Sequence, residues 1–271
     1  MKERYRKTAV EELGEAAVNM YAKGWAERNG GNISCLLTQE EAEEIAGADA
    51  VLRQIPLDTE MKGLAGQYIL VTGTGKYFKN MEKDPENNMG IVRISADGKN
   101  AELIWGLNDG GNVTSEFSSH LMTHLVRREA DFRHRVVIHT HPTHLIVMSF
   151  LHELTDKAFT NTLWKMCTEC ILVFPDGIGV IPWMVSANSK IAALTAEKMK
   201  EHHLTLWGQH GIYGTGQTFD EVLGLIETVE KAAEIYLKIK DNTWRQGIDD
   251  RDLQSLAETY KLVYRKDYLN F

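Results

Sequence analysis

The sequence is short of cysteine, of uncharged apolar runs and of positive charge, and each shortage removes a class of protein. There are three cysteines, Cys35, Cys167 and Cys170. So small and odd a number points to reduced thiols in a cytoplasmic protein. Cys167-Thr168-Glu169-Cys170 has the spacing of redox and zinc sites, but no second pair completes a four-sulfur set, and neither role is expected of it. No long run lacks charge, so no transmembrane helix and no membrane partner are expected. The first residues, Met1 to Lys7, are basic, yet no apolar signal core follows them. Lysine and arginine number 30 against 38 acidic residues, a net charge of −8. That balance argues against a sequence-independent nucleic-acid binder. An anionic substrate would therefore need a local positive site, such as a metal or convergent backbone amides. There is no internal repeat, low-complexity linker or clean boundary, so residues 1–271 read as one domain able to bury a substantial core.

Hydrophobic periodicity predicts the elements. Residues 8–27 carry apolar positions at Val10, Leu13, Ala17 and Met20, a helical spacing. Strands are expected at 33–37 and 68–71, with a surface excursion over 39–63 between them. Residues 90–95 and 101–105 flank Asp97-Gly98, a hairpin signal. Ser115 is placed as the cap of a helix running to about Arg128, with Glu116 in its first turn. Strand 136–141 follows, and Pro142 opens a short helix. A helix over 159–170, strands 171–174 and 178–181, a helix over 187–202 and strand 204–207 come next. Helices over 218–240 and 250–261 close the chain. The pattern implies an α/β fold with a mixed, largely antiparallel sheet between helical layers.

The chemistry centres on Val136-Val137-Ile138-His139-Thr140-His141. Alternate residues of a strand share a face, so His139 and His141 can reach one point at the end of a buried strand. His210 follows another apolar run. Three imidazoles with one carboxylate or water form a divalent-metal site of the catalytic kind. Upstream, Asn29-Gly30-Gly31-Asn32 and Thr72-Gly73-Thr74-Gly75 are glycine turns whose amides can converge on an anion. Their spacing fits neither nucleotide fingerprint. Ser115, at a helix start, adds donors of the same kind. Three such elements beside a metal point to phosphate. Glu116 in a first helical turn is also what compensation of the helix dipole predicts. His120 and His124 share a helix face, a possible metal pair without an evident further partner, His144 reads as a support of the metal ligands or as structural, and His202 and His203 as a solvated helix end.

Taken in order, several stretches resemble the class II aldolase/adducin family. They are Lys23–Asn32, Val71–Lys76, Trp105-Gly106-Leu107, Thr114-Ser115-Glu116, His139-Thr140-His141, Thr168-Glu169-Cys170, Phe174–Gly177 and His210-Gly211. The resemblance runs from about residue 20 to residue 240. It implies a three-layer α/β/α sandwich, assembled as a homotetramer with active sites between subunits. It implies a small sugar phosphate as substrate and one Zn2+ per chain on His139, His141 and His210, with other divalent metals able to substitute. Glu116 matches the family's acid/base. Asn29, Gly31, Asn32, Thr74, Gly75 and Ser115 match its phosphate- and substrate-binding positions. Glu169 matches an acidic residue that assists from a neighbouring subunit.

Overall fold

The computed structural model describes residues 7–47, 50–243 and 245–271; the basic stretch Met1–Arg6 lies outside them. Among the described residues nine strands form one sheet: β1 (Asn32–Leu37), β2 (Arg53–Pro56), β3 (Tyr68–Thr72), β4 (Met89–Ile94), β5 (Asn100–Gly106), β6 (Val136–Thr140), β7 (Ile178–Ile181), β8 (Leu204–Trp207) and β9 (Gly211–Gly216). Their order is β2-β5-β4-β3-β1-β6-β9-β8-β7. Only β7 and β8 pair parallel; the other pairs are antiparallel. The helices are α1 (Ala9–Ala22), α2 (Gln39–Ala46), α3 (Pro85–Asn88), α4 (Phe117–Ala130), α5 (Thr143–Leu151), α6 (Asp156–Trp164), α7 (Glu169–Val173), α8 (Ser189–Met199), α9 (Phe219–Ile239) and α10 (Asp250–Thr259).

Strand alternation divides the core into the expected three layers. Ile33 and Cys35 of β1, Leu70 of β3 and Ile138 of β6 face a layer that holds α1, α6, α9 and α10. Their neighbours point the other way. Leu36, Ile69 and Val71 meet Phe117 and Leu121 of α4, and Val137, Trp207 and Tyr213 meet Ile191 and Met199 of α8. Burying a side chain of this size stabilises the fold by roughly 1.5–3 kcal/mol each, which fixes the register of the central strands. No helix among the described residues is long and apolar enough to cross a membrane.

Several boundaries differ from the sequence expectation for physical reasons. The first helix stops at Ala22, because Gly24 adopts a left-handed φ of 76°. At its other end Thr8 and Glu11 form a reciprocal capping box. The excursion over 39–63 contains α2 and the short edge strand β2. Residues 171–174, an apolar run with two β-branched residues, are not a strand: Glu169–Val173 is helical, with Cys170 and Ile171 buried beside α9. Tertiary packing overrides the local β preference there. Helix α4 begins at Phe117, so Glu116 is its N-cap position and not part of its first turn, and Ser115 lies one residue before the cap. Pro142 likewise sits at the cap of α5, one position outside the helix. Strand β9, rich in glycine, carries no apolar alternation and is found only in the structure. His202 is buried, its Nδ1 against the carbonyl of Asp176 at 2.7 Å, so the solvated helix end expected there holds only in part.

Candidate metal centre and active site

Strand register assembles the site. Asn32 of β1 lies opposite His139 of β6, and His139 lies opposite Tyr213 of β9. The turn that joins β8 to β9 carries His210, with Gln209 at a φ of 55°. His141 follows β6 directly. Its backbone N–H and the Thr140 hydroxyl both donate to the carbonyl of Trp25, which ties the 25–31 loop to the end of β6. The second glycine turn is tied to the start of α4: Gly73 bridges Val113, Thr74 N–H donates to Asn112, and Thr114 N–H donates to Thr72. One cavity of about 160 Å³ results, lined by Asn29, Gly31, Asn32, Thr74, Gly75, Ser115, Glu116, His139, His141 and His210. Every expected site residue except Glu169 lines it. Glu169 is exposed at the start of α7.

Hydrogen bonds determine which ring nitrogens face the cavity. His139 Nδ1 lies 3.1 Å from the Ile212 carbonyl, which can only accept, so Nδ1 carries the proton and Nε2 is bare. His141 Nδ1 lies 2.9 Å from Glu27 Oε1, and the same reasoning leaves its Nε2 bare. That Nε2 is buried without a hydrogen-bond partner among the described residues. His139 Nε2 and His210 Nε2 are 3.4 Å apart. Two nitrogens on a tetrahedral ion with bonds of about 2.0–2.1 Å would be separated by about 3.3 Å. Nitrogen atoms of the three rings lie within 4.8 Å of one another. An unpartnered lone pair among converging imidazoles fits a divalent cation.

Electrostatics agree with that fit. Burial, reinforced by His141 and His210, holds His139 well below the usual histidine range, and burial with His141 brings His210 down to about 4. The His139 and His210 rings are therefore neutral near pH 7, as metal binding would require. His139 is clamped by aromatic neighbours, stacked on Tyr213 with centroids 4.4 Å apart and tilted against Trp207 at 5.2 Å.

Glu116 is buried beside the histidines, its Oε2 3.6 Å from His139 Nε2. The Asn32 amide and the Tyr213 hydroxyl each donate to that Oε2 at 2.9 Å. Burial raises the carboxyl above its ordinary range, and these two donors oppose the rise. No hydrogen bond to Oε1 is found among the described residues, which leaves that oxygen for a reacting group. One N–H of the Asn32 amide is thus engaged with Glu116, so Asn32 supports the carboxylate while lining the cavity. His144 bonds Glu230 at 2.9 Å and joins α5 to α9.

Sequence reasoning missed Glu27 and Tyr213. Glu27 holds a putting-in-place bond to His141 from across the 25–31 loop, and nothing in its local spacing signals that. Tyr213 could have been found had β9 been read as a strand, since it then faces His139.

Residues 11–237 match the family described as Class II Aldolase and Adducin N-terminal domain. The chain is 49% identical over 262 residues to a rhamnulose-1-phosphate aldolase of Listeria monocytogenes, covering 96% of each chain. It is 52% identical over 261 residues to a rhamnulose-1-phosphate aldolase of Enterococcus faecalis, covering 96% of this chain and 94% of that one. Its fold is similar to the crystal structure of a sugar-phosphate aldolase from Thermotoga maritima, with a TM-score of 0.73 and 27% identity over 86% of this chain and 97% of that chain.

Proposed function

The chain belongs to the class II aldolase and adducin family, and from that footing we propose that it cleaves L-rhamnulose 1-phosphate reversibly to dihydroxyacetone phosphate and L-lactaldehyde. The observation that carries the reading is the single cavity in which bare imidazole nitrogens, an anchored carboxylate and uncharged anion donors meet, together with the whole-length likeness to rhamnulose-1-phosphate aldolases.

The work divides among the residues. His139, His141 and His210 would hold the metal, which we take to be zinc, one per chain. A divalent ion there supplies Lewis-acid charge beside the carbonyl, an effect worth several kcal/mol. Cleavage breaks the bond between the carbons α and β to that carbonyl, and the hydroxyl on the β carbon must lose its proton as that carbon becomes the aldehyde. Glu116 takes that proton on Oε1 and later returns one to the carbon left with the electron pair. Acid/base help of this type is typically worth about a hundred- to ten-thousandfold. The phosphate rests on neutral donors. Gly75 and Ser115 have backbone N–H groups without a backbone partner among the described residues, whereas the Thr74 N–H is already used by Asn112, so Thr74 contributes its hydroxyl. Asn29 and Gly31 close the other side of the cavity.

We further read the enzyme as a homotetramer with sites at subunit interfaces. Exposed Phe150, Leu151 and Trp183 support that arrangement. The end of α5 and the Trp183 segment flank the Gly208–His210 turn. Glu169, outside its own chain's cavity, would then act in a neighbour's site.

A product assay over a panel of ketoses tests the function. L-rhamnulose 1-phosphate should release dihydroxyacetone phosphate faster than L-fuculose 1-phosphate does, and free rhamnulose should be a poor substrate. Equal efficiency on free rhamnulose would contradict the phosphate site, and preference for the fuculose ester would contradict the substrate.

A further inference from the structure

Behind Glu116 runs a set of buried polar groups that the proposed chemistry does not use. His120 and His124 stand one turn apart on α4, Ser34 faces them from β1, and His134 precedes β6. Ser34, His120 and His124 are fully buried and His134 is 3% exposed. Burying so many polar groups between a sheet and a helix costs stability unless they are satisfied, and apolar residues would fill the space as well. The groups form an unbroken series. Asn32 Oδ1 is bonded to His120 Nε2. His120 Nδ1 is 2.7 Å from Ser34 Oγ, Ser34 Oγ is 2.8 Å from His124 Nε2, and His124 Nδ1 is 3.0 Å from His134 Nε2.

We propose that Ser34, His120, His124 and His134 are positioning residues for Glu116, acting through Asn32 as one hydrogen-bond chain of fixed polarity. The inference rests on Glu116 being the acid/base. Its polarity follows from one fact: an ionised carboxylate only accepts. Asn32 Nδ2 therefore donates to Glu116, and Asn32 Oδ1 must accept from His120 Nε2–H. His120 Nδ1 is then bare and accepts the Ser34 hydroxyl proton. Ser34 Oγ accepts from His124 Nε2–H, and the bare His124 Nδ1 accepts from His134 Nε2–H. The series ends at His134 Nδ1, an acceptor without a partner among the described residues. Run in reverse, the chain would set Asn32 Oδ1 against the carboxylate and end on a buried N–H with nothing to receive it. Burial brings His120 and His134 down to about 3 and His124 well below its usual range, so each ring carries a single proton near neutrality, as the chain requires.

The amide of Asn32 cannot pass a proton along, so the chain orients and does not conduct. Without the Ser34 hydroxyl, the His120 ring is free to move its proton to Nδ1. Its bare Nε2 would then oppose Asn32 Oδ1, and the amide would lose the contact that keeps Nδ2 on Glu116.

Two measurements test this. The first is neutron diffraction from deuterium-exchanged crystals of the wild-type protein. Deuterium is expected on Nε2 of His120, His124 and His134, and on Ser34 Oγ directed at His120. Deuterium on Nδ1 of His120 or His124 in place of Nε2 would overturn the chain, whatever reaction the enzyme catalyses. The second is steady-state cleavage by Ser34→Ala and Ser34→Thr. In the alanine variant kcat should fall about ten- to a hundredfold, the cost of a slightly misplaced group, with KM and metal content held within about twofold. Threonine restores the hydroxyl and should recover most of kcat. If the alanine variant does not fold, His124→Gln, which can still donate to Ser34, should outperform His124→Leu in kcat. Wild-type kcat in a folded Ser34→Ala, or equal loss in Gln and Leu variants, would overturn the positioning role. Wild-type protein that cleaves no ketose phosphate would instead defeat the proposed function and leave the neutron result standing.

Discussion

Replacing Gly30 by alanine should damage the metal centre from outside it. The missing Cβ would sit 2.8 Å from His141 Nδ1, 2.9 Å from His141 Cε1 and 3.0 Å from the Glu27 carbonyl. Unstrained heavy-atom contacts lie at about 3.5 Å or more, so the ring must move by roughly 0.7 Å. The ring has little room, because Gly211 packs as closely on it, its own absent Cβ lying 2.8 Å from His141 Cδ2. The displacement also breaks the 2.9 Å bond to Glu27 that keeps the proton on Nδ1 and Nε2 bare. Losing such an outer support typically lowers metal affinity about 10- to 100-fold, or roughly 1.4–2.7 kcal/mol. Competition of Gly30→Ala and wild-type protein against a chromogenic zinc chelator at pH 7 reads that ratio directly. Thermal melts of the metal-free proteins should nearly coincide, because Gly30 lies outside the sheet and helices. A variant that held zinc as tightly as wild type would refute the claim that His141 is seated by contact with Gly30 and Glu27.

Elemental analysis should find one metal per wild-type chain, and His139→Ala combined with His141→Ala should abolish it while the rest of the chain stays folded; unchanged metal content would remove those ligands from the account. Tyr213→Phe takes away one of the two donors that oppose the burial-driven rise of the Glu116 carboxyl. Its pKa should climb further, so the ionised base appears only at higher pH, and the acidic limb of the kcat/KM profile should move upward in pH. A limb that moved downward or stayed in place would mean that the hydroxyl does not stabilise the carboxylate.

The sequence made the cluster of three histidines legible because strand geometry is local. His139 and His141 share a face for the same reason that Val137 and Thr140 do not, and His210 announces itself at the end of an apolar run. The layered fold was legible too, since Ile33, Leu70 and Ile138 alternate with partners that face the other way. What was hidden depends on contacts between distant segments. The run Ile171-Leu172-Val173 favours a strand by composition but buries Cys170 and Ile171 on a helical turn. Strand β9, Gly211-Ile212-Tyr213-Gly214-Thr215-Gly216, has no alternation to read because it is covered on both faces. Missing it concealed Tyr213 and, with it, half of the support of Glu116. His120 and His124 were visible as a pair on one helix face. Their partner Ser34 belongs to another element, so no spacing along the chain could identify what they bond.

The claim at the centre of the account is that Glu116 moves the proton at a metal site made by three histidines. Solvent deuterium exchange into dihydroxyacetone phosphate, without any aldehyde, isolates that step from bond formation. Metal-loaded wild-type protein should incorporate deuterium at the carbon that would otherwise bond the aldehyde. Glu116→Gln, loaded with metal to the same stoichiometry, should keep the fold and much of the phosphate binding yet exchange about a hundred- to ten-thousandfold more slowly, because an amide cannot take up the proton. Exchange by the metal-loaded glutamine variant at the wild-type rate would contradict the account and place the base elsewhere.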